Sequence, residues 1–153
     1  MKIEYLADHV NYADTAAKWI YDEFIKGIQA NISYQDVLKR YQTGKKTELP
    51  VRFIALVDGQ CAGTISLVKN DLKCREIYTP WLASLYVDKP FRSKKVAAQL
   101  IGRIKETAKD LGYSELYLRT ENTGGYYKER GWLFVEHCTD EYEVVADVFK
   151  MNL

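Results

Sequence analysis

The chain has 153 residues, of which 47% are hydrophobic, 13% aromatic and 28% charged, close to globular averages, so disordered, collagen-like and coiled-coil architectures are excluded and one domain over residues 1–153 is expected. Lys plus Arg number 22 against 21 for Asp plus Glu, too balanced for a protein whose main task is neutralising nucleic-acid phosphates or anionic lipid. Cys61, Cys74 and Cys138 cannot all pair within one chain, no run reaches the ~18 apolar residues of a membrane span, and the start lacks a secretory pattern. The expectation is a cytoplasmic monomer or homodimer with neither nucleic acid nor membrane as partner.

Lys2 to Leu6 suits a short strand, after which Ala13, Ala16, Ala17, Ile20 and Phe24 recur at helical spacing and draw one apolar stripe. Ser33 with Asp36 forms an N-terminal cap signal, followed by Tyr34, Val37, Leu38 and Tyr41 on one helical face before Gly44. Val51 to Val57 and Gln60 to Val68 flank Asp58-Gly59, a hairpin signal. Trp81 to Val87, mostly apolar, predicts a buried strand. The longest stripe, Ala97, Leu100, Ile101, Ile104, Ala108 and Leu111, closes at Gly112. Glu115 to Thr120 alternates as a strand, Asn122 to Arg130 suits a short helix, and Trp132 to Cys138 with Glu143 to Met151 suggest a last hairpin. The predicted order is β-α-α-β-β-β-α-β-α-β-β.

Chemistry concentrates at residues 88–100, where the buried strand runs through a basic turn into the longest helix. Lys89, Arg92, Lys94 and Lys95 stand against Asp88 alone, and the first turn of a helix offers free backbone N–H groups and the positive end of the macrodipole, so a phosphate-bearing ligand fits there as well as a solvated basic loop does.

Leu85, Tyr86 and Val87, then Pro90, Phe91, Arg92, Ser93, Lys94, Lys95, Val96 and Ala97 resemble the acyl-CoA-binding segment of the GNAT superfamily of N-acetyltransferases, a strand leading through Q/R-x-x-G-x-G/A into a helix. Arg92 and Ala97 match the first and last motif positions; Lys95 replaces the usual glycine, a residue that lets backbone approach a pyrophosphate closely. Downstream, Tyr126, Tyr127, Gly131 and Trp132 resemble the family's F/Y-Y-x-x-x-G-F/W ending. The resemblance covers residues 50–150 by motif and the first 45 by topology. It implies an α+β (three-layer α/β/α) GNAT fold, a mixed central sheet of about seven strands splayed between its two central parallel strands.

The resemblance further implies acetyl-CoA as acyl donor and a small amine or exposed amino group as acceptor. Backbone groups of Leu85, Tyr86 and Val87 would hold the pantetheine arm, and a β-bulge is expected at Ala83 or Ser84 to Leu85. The amides of Ser93, Lys94, Lys95, Val96 and Ala97 would hold the pyrophosphate with charge from Arg92 and Lys94, and Asn122 would contact pantetheine. Tyr127 occupies the position of the acid that protonates the departing thiolate, and Glu76 is the candidate general base. A non-catalytic acyl-CoA-binding module and a purely structural interaction protein are the competing readings.

Other chemistries find less support. His9 and His137 lack partners at metal-site spacing, so no metal is expected. Thr43 to Thr47 makes no P-loop, because Lys39 stands where that motif needs its first glycine. Acids among residues 1–36, together with Glu136, Asp140, Glu141 and Glu143, suggest either solvated faces or a negative field that steers a cationic acceptor.

Overall fold

A computed structural model describes residues 1–28 and 31–153. In chain order the elements are β1 (Lys2–Tyr5), α1 (Ala13–Ile20), α2 (Tyr34–Gln42), β2 (Val51–Val57), β3 (Gln60–Val68), β4 (Trp81–Val87), α3 (Val96–Asp110), β5 (Glu115–Thr120), α4 (Gly124–Glu129), β6 (Leu133–Thr139) and β7 (Val145–Asn152), joined by loops and short 3₁₀ turns. The strands form one seven-stranded sheet in the order β1-β2-β3-β4-β5-β7-β6. β4 and β5 run parallel, and every other neighbouring pair is antiparallel.

Local chemistry explains most boundaries. Asp58 and Gly59 turn at φ 49° and 76°, the positive pair that a right-twisted two-residue hairpin demands. Ser33 and Asp36 make a reciprocal capping box: the Asp36 amide donates to Ser33 Oγ at 3.1 Å and the Ser33 amide to Asp36 Oδ2 at 2.9 Å, which satisfies two N–H groups at the start of α2. In α1 the residues Ala13, Ala16, Ala17 and Ile20 are buried as their spacing predicts. Phe24 departs from that stripe and is 46% exposed. The helix continues through a π turn at Tyr21–Ile25, with the Lys26 amide donating to the Tyr21 carbonyl at 2.8 Å; this i→i+5 turn adds a residue and rotates Phe24 off the buried face.

Helix α3 covers one sheet face, where Leu100, Ile104 and Ala108 pack in one core with Phe53, Ile65, Leu67, Leu82, Leu116 and Leu118. On the opposite face, α1 and α2 pack with Leu6 and Ile54. The connection between β3 and β4 covers the rest of that face, with Leu72 buried among Trp81, Tyr117, Cys138 and Val148. Register shifts within β4: Thr64 faces Tyr86 and Ser66 faces Ala83, so the single residue Ile65 stands against two, Ser84 and Leu85. Ser84 sits at φ 53°. The bulge lets Leu82 on one side of it and Leu85 and Val87 on the other all turn toward α3. Gly63 permits the close approach of β3, because a Cβ there would stand 2.7 Å from the Tyr86 carbonyl oxygen.

A charged network holds the β3–β4 connection to β6. Arg75 Nε and Nη2 donate to Glu136 Oε1 at 3.0 and 2.7 Å, the Tyr78 hydroxyl donates to Oε2, and Cys138 Sγ donates to Oε1 at 3.0 Å. Tyr78 also stacks on Tyr117, with ring centroids 4.7 Å apart. Hydrogen bonds from Arg75 and then from Cys138 and Tyr78 hold the Glu136 carboxyl at about 2, below its ordinary 4.5. A folded-state value below the unfolded one means that ionised Glu136 stabilises the fold fully above about 4.5 and that this contribution drains away as pH falls toward about 2. Glu136→Gln is therefore expected to be less stable than the wild type in urea unfolding at pH 6, with the difference shrinking between pH 4 and pH 2.

Candidate active site

The central feature is what β4 and β5 fail to do. Their parallel pairing consists of one register position, Trp81 opposite Tyr117, supported by the Tyr117 amide donating to the Pro80 carbonyl at 3.0 Å. Beyond it the strands diverge: Tyr86 and Val87 have ladder partners on the β3 side only, and Leu85, in the bulge, has no register partner on β3. The β5-facing edge of β4 therefore presents backbone N–H and C=O groups that no strand takes up, which suits pairing with an extended ligand.

The open end of that gap leads to the start of α3. The turn before the helix places Ser93 and Lys95 at φ 64° each, left-handed conformations that cost of order 1–3 kcal/mol for a non-glycine residue. Lys95 is the N-cap; no side chain caps the helix among the described residues, and its first turn carries no acid. Free amides, the helix dipole and exposed Lys94 and Lys95 thus converge. Arg92 Nε donates to the Val87 carbonyl at 2.9 Å, and its guanidinium lies 5.6 Å from the Tyr86 ring centre, so Arg92 is docked on the end of β4.

Tyr127 in α4 is buried in the α3-side core. Its ring lies 5.9 Å from Trp132, 6.4 Å from Phe149 and 5.2 Å from Tyr126. Burial pushes its hydroxyl up to about 12, with Tyr126 adding to the shift, so it remains a protonated donor at neutral pH. Asn122 is exposed in the turn between β5 and α4. Glu76 stands apart, exposed just after the 3₁₀ turn Lys73–Arg75, with no hydrogen bond or ion pair among the described residues. The structure thus brings the β4 end, residues 92–97 and the β5–α4 turn to one side of the sheet, and leaves Glu76 on the connection that precedes β4.

On the face opposite α3, features outside the sequence reading line the gap. Trp19 of α1 packs on Tyr86 with ring centroids 5.3 Å apart, beside a groove of 340 Å³ lined by Asp14, Thr15, Lys18, Trp19 and Tyr34. Across the gap stands Arg119, two residues after Tyr117; had the strands stayed paired, it would face Ala83 beside the bulge. Its Nη2 donates to Asp140 Oδ2 at 2.7 Å and its Nη1 to the Asp71 carbonyl at 3.3 Å. Several acids read as a steering field are engaged: Glu136 with Arg75, Asp140 with Arg119, Asp22 with Lys18 and Asp8 with Lys46. Among the described residues no cluster of His, Cys, Asp and Glu is arranged for a metal, and no helix is long and apolar enough to cross a membrane.

The sequence matches the Acetyltransferase (GNAT) family over residues 14–132. The chain belongs to this family. N-alpha-acetyltransferase MAK3 of Arabidopsis thaliana is 29% identical over 105 residues, which take in 66% of this GNAT chain and 54% of that relative; the match spans about half the relative's length. An aminoglycoside 6'-N-acetyltransferase structure complexed with coenzyme A superposes with a TM-score of 0.75 at 12% identity, covering 99% of this chain and 97% of that one. An N-acetyltransferase from Staphylococcus aureus Mu50 gives 0.74 at 16% identity, covering 99% of each. At these identities the likeness is one of fold, and it extends over the first 45 residues that carried no motif.

The Lys95 position is where this chain departs from the GNAT motif, and the backbone shows how the departure is absorbed. Lysine adopts the left-handed conformation that glycine would take, so the turn keeps its form under strain. Relief of ~1–2 kcal/mol of left-handed strain, less the ~0.5–1 kcal/mol of extra unfolded-state freedom that glycine brings, sets the expected gain. Lys95→Gly is predicted to raise stability by ~0.5–1 kcal/mol in denaturant titration.

Proposed function

We propose that this GNAT protein is an acetyl-CoA-dependent N-acetyltransferase that moves an acetyl group to a primary amine within a ternary complex. The observation that carries the reading is the junction of the β4–β5 gap with the uncapped start of α3. An open strand edge accepts an amide-bearing arm, and the adjacent helix start accepts a diphosphate, in the order in which coenzyme A carries them. The residues present fit that ligand: the first turn of α3 has no competing acid, and the paired left-handed residues Ser93 and Lys95 shape a turn of backbone amides.

Acetyl-CoA supplies an acetyl group activated as a thioester. In this reading the backbone of Leu85, Tyr86 and Val87 holds the pantetheine arm, Asn122 contacts it from the β5 side, and the amides of Ser93, Lys94, Lys95, Val96 and Ala97 hold the diphosphate. Lys94 adds direct charge, and Arg92, tied to the Val87 carbonyl, adds charge while fixing the end of β4. The bulge at Ser84 and Leu85 frees backbone from the β3 ladder and supplies a donor for the acetyl carbonyl oxygen. Tyr127, held protonated by burial, delivers the proton that the departing sulfur requires.

The acceptor is an amine that enters from the face opposite α3, between Trp19 and Arg119. The relatives named above are by name an N-alpha-acetyltransferase and an aminoglycoside 6'-N-acetyltransferase, and aliphatic amines are ammonium groups at neutral pH. We place the protein in the cytoplasm as a monomer or homodimer.

Thermal unfolding with acetyl-CoA tests the reading. Acetyl-CoA at 100 times its dissociation constant is expected to add ~2.7 kcal/mol, and thiol release with pooled amines is expected to follow. Stabilisation without release marks a non-catalytic binding module, and neither marks a structural protein. Tyr127→Phe is predicted to lower kcat by ~10²-fold or more while leaving acetyl-CoA stabilisation within error of wild type; equal turnover removes Tyr127 from the mechanism.

A further inference from the structure

The acceptor ammonium must lose a proton before its nitrogen can attack a carbonyl, and exposed Glu76 makes no hydrogen bond or ion pair among the described residues that would orient it toward the gap. The β3–β4 connection holds a second carboxyl with different surroundings. Asp71 is flanked by Asn70, whose Nδ2 donates to the Leu72 carbonyl at 3.1 Å, and by Leu72, buried against Trp81 and Tyr117. Its own carbonyl is held by Arg119. The backbone on both sides of Asp71 is therefore fixed, and Arg119, to which it is tied, lies two positions past Tyr117, the β5 residue paired with β4, where the gap opens.

Charge partition around Asp71 leaves its side chain without a partner. Asp140 takes the Arg119 Nη2 donor through Oδ2, and its Oδ1 accepts the amides of Tyr142 and Val144 at 2.8 and 2.9 Å. Arg119 thus spends its second donor on the Asp71 backbone and none on the Asp71 carboxyl, which makes no hydrogen bond among the described residues. The groups that face Asp71 are Arg119 from β5 and Asp140 and Glu141 from the turn between β6 and β7, two acids against one cation.

We propose that Asp71 is the base that receives the acceptor's proton, directly or through one water, with Arg119 as the residue that positions it at the gap. This inference rests on the transferase reading above. The step moves one proton: R–NH₃⁺ and the Asp71 carboxylate become R–NH₂ and the Asp71 carboxylic acid, which afterwards releases that proton to solvent. Desolvation lifts the Asp71 carboxyl to about 7, the Arg119 charge opposes that rise, and Glu141 and Asp140 reinforce it. A base of that strength is half ionised near neutrality and accepts a proton from an ammonium far better than an ordinary carboxylate does.

The test compares the wild type, Asp71→Asn and Glu141→Gln with acetyl-CoA and one saturating acceptor amine. Wild-type kcat is expected to fall as pH drops through about 7, because protonated Asp71 cannot accept. Asp71→Asn is expected to lower kcat at pH 7 by ~10²-fold and to lose that limb while keeping the acetyl-CoA thermal shift. Glu141→Gln, a change at an exposed side chain, removes a neighbouring negative charge and is expected to move the limb to lower pH. Independently of turnover, a side-chain carboxyl ¹³C resonance titrating near neutrality is expected in the wild type and absent from Asp71→Asn. An Asp71→Asn enzyme with wild-type kcat and pH profile overturns the proposal, as does the absence of a neutral-titrating carboxyl. If Asp71→Asn does not fold, an unmoved limb in Glu141→Gln overturns it. Failure of the transferase reading is visible separately, as a wild type that acetyl-CoA neither stabilises nor turns over.

Discussion

The architecture depends on one unfinished ladder. A parallel pair buried at the centre of a sheet ordinarily satisfies its backbone groups along its whole length, yet β4 and β5 stop at Trp81 and Tyr117. The opening is held from outside. On the β3 side, β4 is paired through Tyr86 and Val87 and drawn close by Gly63; on the other side, β5 is paired to β7 over its full length from Glu115 to Thr120. Each strand spends one edge on its outer neighbour, and the edges that face each other past Trp81 and Tyr117 stay unpaired. The gap is a property of the sheet, and in the proposed reading the backbone groups along it are assigned to the acyl donor.

Backbone strain marks the same place. Of the five non-glycine residues at positive φ among the described residues, Asp58 and Glu143 lie in strand-connecting turns, while Ser84, Ser93 and Lys95 lie on the bulge and on the turn into α3. Each of the three carries a conformation that a competing arrangement would relieve, and all three lie on β4 or on the turn that leads from it into α3. Packing enforces the cost: Leu82, Leu85 and Val87 join the α3-side core on both sides of the bulge, and Val96 and Leu100 seat the start of α3 against it. The core thereby maintains the unfavourable torsions that the site uses.

Local signals were legible in the sequence, and long-range pairing was not. The Asp58-Gly59 hairpin, the Ser33–Asp36 box and the ends of β2, β3, β4 and β5 agree with the expected spans, because each is written by a few adjacent residues. The stripe through Phe24 failed where a π turn changed the phase, which periodicity alone does not encode. The acids at residues 136 and 140 read as surface charge because their partners, Arg75 and Arg119, lie 61 and 21 residues away. Asp71 and Arg119 carried no motif at all. Lys95 was legible as a departure, while its left-handed backbone was visible only in the fold.

Those distant pairs also decide what the acceptor side can do electrostatically. A negative field from four hairpin acids would attract any cation indiscriminately. Pairing of Glu136 with Arg75 and of Asp140 with Arg119 removes much of that field and converts two carboxylates into struts, one fixing the β3–β4 connection and the other fixing the rim of the gap. Of the acids with no ion-pair partner among the described residues, Glu141 lies near Asp71, and Asp14 lines the groove beside Trp19. On the proposed transferase reading, selection of an acceptor depends on where its ammonium group lies relative to its own bulk, with Trp19 packed on Tyr86 on the β4 side and Arg119 on the β5 side.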